Sequence, residues 1–143
     1  MVRVARDGRS IPDPTPVTAP FFRAALDGKL LLQVCPRDGA FFYTRARCPH
    51  CWRDDWTWTE ASGRGTIYSF TIDRLGHDPQ QKALAPFVIA IVTLQEGPRA
   101  VAQIVDCEFG DVRTGLPVTA VFDLFSPADG GDPVPMLRFK PQA

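Results

Sequence analysis

The sequence predicts a mainly β chain, with an N-terminal helix, a zinc ribbon and then a five-stranded barrel of the OB type, on three observations. One stretch, residues 18–28, has the spacing of an amphipathic helix. Three of the four cysteines, Cys35, Cys48 and Cys51, fall within seventeen residues on turn-forming sequence. After Gly63 the chain reads as strand after strand, punctuated by Gly- and Pro-containing turns.

At 143 residues the chain is one ordinary domain or two very small ones sharing a core. With 45% hydrophobic and 22% charged residues it can bury a core, and wholesale disorder is excluded. Sixteen Lys plus Arg balance sixteen Asp plus Glu, so the basic excess of a phosphate-backbone binder is lacking and no nucleic-acid partner is expected. Arg3, Arg6 and Arg9 precede no apolar run, and no stretch approaches the roughly eighteen apolar residues of a membrane span. A cytoplasmic protein without a membrane partner is expected.

Residues 1–15 mix charge, Pro and Gly without periodicity and are expected as an extended tail that adds little to the fold. Residues 16–62 form the helix and ribbon. Thr18 caps the helix, Pro20 sits in its first turn, Phe21, Phe22, Ala25 and Leu26 share a side, and Gly28 ends it. The two phenylalanines either pack on their own domain or form a partner surface. Lys29–Val34 and Ala40–Tyr43 are the first two ribbon strands, joined at Pro36 and Gly39; Asp55–Thr59, with Trp56 and Trp58 alternating, is the third.

Residues 63–143 form the barrel, from strands at Thr66–Asp73, Phe87–Leu94, Ala100–Asp106, Val118–Phe125 and Met136–Lys140. In the first, Tyr68, Phe70 and Ile72 are expected to point inward. The second, FVIAIVTL, is apolar on both faces and belongs in the middle of a sheet. Five strands suit a small Greek-key barrel better than a sandwich of seven or more. The excursion from Glu108 has room for a small helix, whereas Gly76–Ala85 and Pro127–Val134 read as mobile loops.

The cysteine segment carries the clearest chemistry. A zinc ribbon places two pairs of ligands, each pair on a tight turn, around a tetrahedral ion with thiolates about 2.3 Å away. Cys48-Pro-His-Cys51 is an intact knuckle, but in Cys35-Pro-Arg-Asp38-Gly39 an aspartate stands where the second thiolate belongs. A carboxylate is a legitimate zinc donor, so Cys35, Asp38, Cys48 and Cys51 form one candidate site, structural because protein fills every position. Two alternatives stand beside it. His50 is the fourth ligand, although its place next to Cys51 turns it away from the ion; or no metal binds and the reduced thiols pack with Phe41, Phe42, Tyr43, Trp56 and Trp58.

No catalytic residue is assigned. His77 in LGHDP has no recognisable nucleophile and reads as solvated, and Cys107, between Asp106 and Glu108, reads as an inert thiol. No dinucleotide, P-loop or metalloprotease motif occurs. Arg37, Arg45 and Arg47 are candidates for the phosphates of a cofactor, since guanidinium forks match phosphate; a solvated mixed-charge face is the alternative.

In order along the chain, PFFRAALDGKLLLQVC, the two knuckles, EASGRGTIYSFT, APFVIAIVTLQEGPRAVAQIV and VRTGLPVTAVF resemble the domain-of-unknown-function-35 family over about residues 13–141. The resemblance implies an N-terminal helix, a rubredoxin-like zinc ribbon and a C-terminal OB-fold. It also implies a non-catalytic accessory subunit of a thiolase-like complex (thiolase, acyltransferase or aldolase) in acyl-CoA metabolism, which stabilises the large subunit and helps enclose the CoA-linked acyl substrate. Carried over by position, Cys35, Cys48 and Cys51 match zinc ligands, and Asp38 departs from the pattern. The helix around Phe21 and Phe22 matches a partner-docking element. A two-plus-two heterotetramer with the large enzyme is the assembly expected from symmetry. A nucleic-acid-binding zinc-ribbon and OB-fold protein is the alternative class, which needs a basic groove lined with stacking aromatics.

Overall fold

The structure is a computed structural model that describes residues 3–142. The expected extended tail is instead a short hairpin, β1 (Arg3–Val4) and β2 (Ser10–Ile11), with Arg3 opposite Ile11. It is tied down because Ala5 and Ile11 are buried with Phe125 and Val134, and because the Arg6 N–H donates to the Ser126 carbonyl at 2.8 Å. Two small apolar contacts separated by a turn leave no periodicity in the sequence, which is why this segment reads as a tail.

Helix α1 (Ala19–Leu26) buries Phe21 and Ala25 and rests on the first ribbon strand and the last barrel strand. Thr18 occupies the cap position, but its hydroxyl accepts from the Thr15 N–H at 2.8 Å rather than from the helix. At the other end Gly28, with φ of +76°, lets the Lys29 N–H return to the Ala24 carbonyl at 3.0 Å. The ribbon is a three-stranded sheet of β3 (Leu31–Cys35), β4 (Gly39–Phe41) and β5 (Thr57–Glu60), with β3 in the centre.

The five strands predicted after Gly63 make a closed barrel: β6 (Arg64–Asp73), β7 (Phe87–Leu94), β8 (Arg99–Ile104), β9 (Pro117–Phe125) and β10 (Val134–Pro141). As expected of its two apolar faces, β7 lies inside the sheet, between β6 and β8. Ile67, Val88, Val92, Leu94, Val118 and Phe139 fill the interior. The parallel pairing that closes the barrel is short, linking Arg138 to Gln103 and Phe139 to Ile104. Gly65 marks a close approach of backbones: a Cβ there would sit 2.6 Å from the Thr93 carbonyl oxygen.

Two local expectations change. A bulge between Ile67 and Ser69 breaks the alternation of β6, so Tyr68 points outward, 52% exposed, with the Arg99 guanidinium 3.8 Å from its ring centroid. The loop at Gly76–Ala85 contains helix α2 (Pro79–Leu84), whose first turn is capped by the Asp78 carboxylate accepting from the Gln81 N–H at 2.8 Å. A single 3₁₀ turn at Phe109–Asp111 occupies the excursion after β8. Among the described residues no helix is long and apolar enough to cross a membrane.

Candidate metal centre

The ribbon brings the four predicted ligands together. Cys35 ends β3 opposite Gly39, and the tight turn between them swings the exposed Asp38 carboxylate back over the sulfur. Gly39 has φ of +83°, a conformation that side-chain-bearing residues avoid. In the second knuckle the Trp52 N–H donates to the Cys48 carbonyl and the Cys48 N–H to the Arg53 carbonyl, each at 2.9 Å, turning Cys48 and Cys51 inward. Cys35 and Cys48 are buried.

All four donor atoms lie within 4.8 Å of one another. Cys35 Sγ is 3.6 Å from Cys51 Sγ and 3.8 Å from Asp38 Oδ2, and Cys48 Sγ is 3.5 Å from the same oxygen. Thiolates at about 2.3 Å and a carboxylate oxygen at about 2.1 Å on a tetrahedral zinc are about 3.6–3.8 Å apart, so the donor set fits that ion. His50 is exposed and outside the cluster.

The electrostatics follow from this proximity. A hydrogen bond from the Cys51 thiol, with a further one from Cys48, holds the Asp38 carboxyl below the usual carboxylate range against the opposing effect of burial. The same Asp38 contact pushes the Cys51 thiol up to about 12. At Cys35 burial works to raise the thiol pKa, but backbone hydrogen bonds from Asp38 and Arg37 outweigh it. Protons thus bridge the donors, and a dication bound there displaces them.

Two supporting residues carry no signal in the sequence. Gln33, inside the apolar run KLLLQV, is 1% exposed; its amide donates to the Arg45 carbonyl at 2.6 Å and accepts from the Arg45 N–H at 2.9 Å, clamping the loop into the second knuckle. The Tyr43 hydroxyl donates to the Val101 carbonyl at 3.1 Å and accepts from the Val101 N–H at 2.7 Å. This bond fastens the ribbon to β8 beyond the two positions paired with β10. On the ribbon's other face Trp56 packs edge-on against Phe41 and Trp58 and donates its indole N–H to the Ala46 carbonyl at 2.8 Å.

The remaining candidates are dispersed. Phe21 is 8% exposed, its ring near those of Phe42 and Phe122, so it seats α1 on its own chain and leaves almost nothing for a partner. Phe22 is half-buried and, with the 51% exposed Leu26, edges a groove of about 260 Å³ beside α1. Arg45 donates to the Tyr43 carbonyl at 3.0 Å, and Arg47 to the Trp52 carbonyl at 2.9 Å while pairing with Asp54. Arg37 makes no side-chain hydrogen bond or ion pair among the described residues. Burial first, and then Asp111 and Glu108, push the Cys107 thiol up, in keeping with an unreactive cysteine.

Residues 22–57 match the family described as "ChsH2, rubredoxin-like zinc ribbon domain", and residues 58–123 match "ChsH2, C-terminal OB-fold domain". The chain is 38% identical over 101 residues to a DUF35 domain-containing scaffold protein of Methanocaldococcus jannaschii, covering 70% of each chain. It is 33% identical to a probable enoyl-CoA hydratase alpha subunit of Thermomonospora curvata, over 68% of this chain and 30% of that subunit. It is 31% identical to the benzoylsuccinyl-CoA thiolase subunit BbsA of Geobacter metallireducens, over 49% of this chain and 46% of that subunit. The solved Ltp2-ChsH2(DUF35) aldolase contains a chain that superimposes with a TM-score of 0.70 and 28% identity, covering 92% of this chain and 98% of that one.

Proposed function

The chain belongs to the DUF35 family of ChsH2-type zinc-ribbon and OB-fold proteins, and we propose that it is a non-catalytic accessory subunit of a thiolase-like acyl-CoA complex. The observation that carries this reading is the likeness, across nearly the whole of both chains, to the DUF35 chain of an aldolase complex. Relatives named as subunits of a hydratase and a thiolase support it, because each contains a stretch similar to this chain. The site chemistry is that of a ribbon: the described residues bring together four metal donors on its two knuckles.

In this reading the large subunit performs the carbon–carbon bond chemistry. This chain stabilises it and helps enclose the CoA-linked acyl group, with the outward edge of α1, Phe22 and Leu26 above the buried Phe21, as the docking element. Arg37, Arg45 and Arg47 are the side chains that would meet the CoA phosphates, Arg37 having the guanidinium least engaged elsewhere. Zinc on Cys35, Asp38, Cys48 and Cys51 is structural, since four protein donors leave no coordination position for substrate or water.

Affinity purification from the native host, with mass spectrometry of what co-elutes, tests the proposal. A thiolase-like protein is expected in near-equal amount, in a two-plus-two assembly by mass. Leu26→Asp and Phe22→Ala should weaken co-elution while leaving the barrel folded. Recovery of nucleic acid, or of no partner, overturns the reading.

A further inference from the structure

A cavity of about 510 Å³ lies away from the ribbon, at the end of the barrel where β9 and β10 meet the N-terminal hairpin and α2. Its volume is that of a small-molecule site. Phe125, Met136 and Arg138 come from the barrel; Arg9 comes from the hairpin, and Gln80 and Leu84 come from α2. The two outlying segments touch at its rim, since a Cβ on Gly8 would come within 2.9 Å of the Gln80 side chain.

Its formal charges cancel, two arginines against Asp78 and Asp106, but they are not paired with one another. The Arg9 and Arg138 guanidinium carbons lie 3.8 and 5.3 Å from the centroid of the same Phe125 ring. The ring attracts each cation, while the cations repel one another. Arg9 pairs with Asp7 through Nη2 at 2.6 Å and Nε at 2.8 Å, so its Nη1 is the group left to meet a ligand. Arg138 is half-buried, makes one hydrogen bond, from NH1 to the Leu137 carbonyl at 3.2 Å, and forms no ion pair among the described residues. Burial holds its pKa below the ordinary arginine value, and Arg9 pushes the same way against Asp123. Of the acidic residues at the rim, Asp78 is engaged by the Gln81 N–H and Asp106 is exposed to solvent.

The apolar side is equally incomplete. Helix α2 buries none of its residues, and Leu84, which lines the cavity, remains 50% exposed. A ligand with a hydrocarbon part would give that helix the packing it lacks and give Arg138 a direct ion-pair partner, which Asp123, although its charge acts on Arg138, does not supply.

We propose that this cavity binds a small organic anion with an apolar body, its carboxylate or phosphate on Arg138 and Arg9 and its hydrocarbon part between Phe125, Met136 and Leu84. Every lining residue comes from this chain, so the test is separate from that of the function above. Octanoate and octyl phosphate are titrated into the full chain at neutral pH, following heat and the methyl signal of Met136, one of only two methionines in the sequence.

At least one of the two titrants should saturate a single site and shift that methyl signal; which of them does so assigns the headgroup as carboxylate or phosphate. Acetate and 1-octanol, each lacking one half of the ligand, should bind about ten-fold more weakly or less. Arg138→Gln should cost a similar factor, and Arg138→Lys should restore part of it. Arg9→Gln and Leu84→Gln provide the same test should Arg138→Gln disturb the fold, as judged by its amide spectrum. Failure of both titrants to saturate, equal binding of octanol, or affinity unchanged by the substitutions overturns the proposal.

Discussion

At the scale of single residues, Gln33 carries more of the ribbon than its surroundings suggest. An amide in the middle of an apolar strand is costly unless both its ends are satisfied. Here both are, by the N–H and the carbonyl of one residue, Arg45. Removing the side chain strands two backbone groups of Arg45 in a part-buried place, so Gln33→Met should destabilise the chain by about 1 kcal/mol despite its better match to a hydrophobic strand. Chemical denaturation measures the loss; a neutral or stabilising result would mean that water replaces the amide. Asp38 is the counterpart at the surface. Its position in the knuckle was legible from the Pro and Gly around it, but its contact with Cys48, ten residues away, depends on how two turns meet.

At the scale of elements, α1 and the barrel strands were readable because each buries a face whose period is written locally. The exceptions share one cause, which is a partner distant in sequence. The hairpin of β1 and β2 exists because Ala5 and Ile11 find Phe125 and Val134. The bulge that turns Tyr68 outward is set by the register of β6 against β7. The ribbon is fastened to the barrel by the Tyr43 hydroxyl on both backbone groups of Val101. Tyr43→Phe keeps the ring and removes that link. It should cost about 1 kcal/mol and speed hydrogen exchange of the Val101 amide, while exchange in the barrel core stays slow. Unchanged exchange at Val101 would show that packing alone holds the two units together.

At the scale of the whole molecule, the proposed zinc links knuckles that also share a small cluster of Cys35, Phe41 and Cys48, with Cys51 and Trp56 against it. The larger core is mostly barrel residues but also takes in Phe21, Leu30 and Leu32 from α1 and the ribbon, so chelation should loosen the knuckles while the barrel's circular dichroism persists. Protons compete with the ion for every donor, so zinc should be retained at neutral pH and released as pH falls, and Asp38→Ala should release it at a higher pH than the unaltered chain. Metal analysis across a pH series gives the stoichiometry, about one ion per chain when loaded. By itself the sequence determined the mainly β class, the order of helix, ribbon and barrel, and the four candidate ligands, because periodicity, turn chemistry and ligand spacing act over a few residues. Only the tertiary structure decided that Phe21 is a core residue, that Gln33 and Tyr43 are fasteners, and that Arg9 and Arg138 meet over one ring. Those outcomes join segments from twelve to more than a hundred residues apart, and such contacts leave no period in the chain to read.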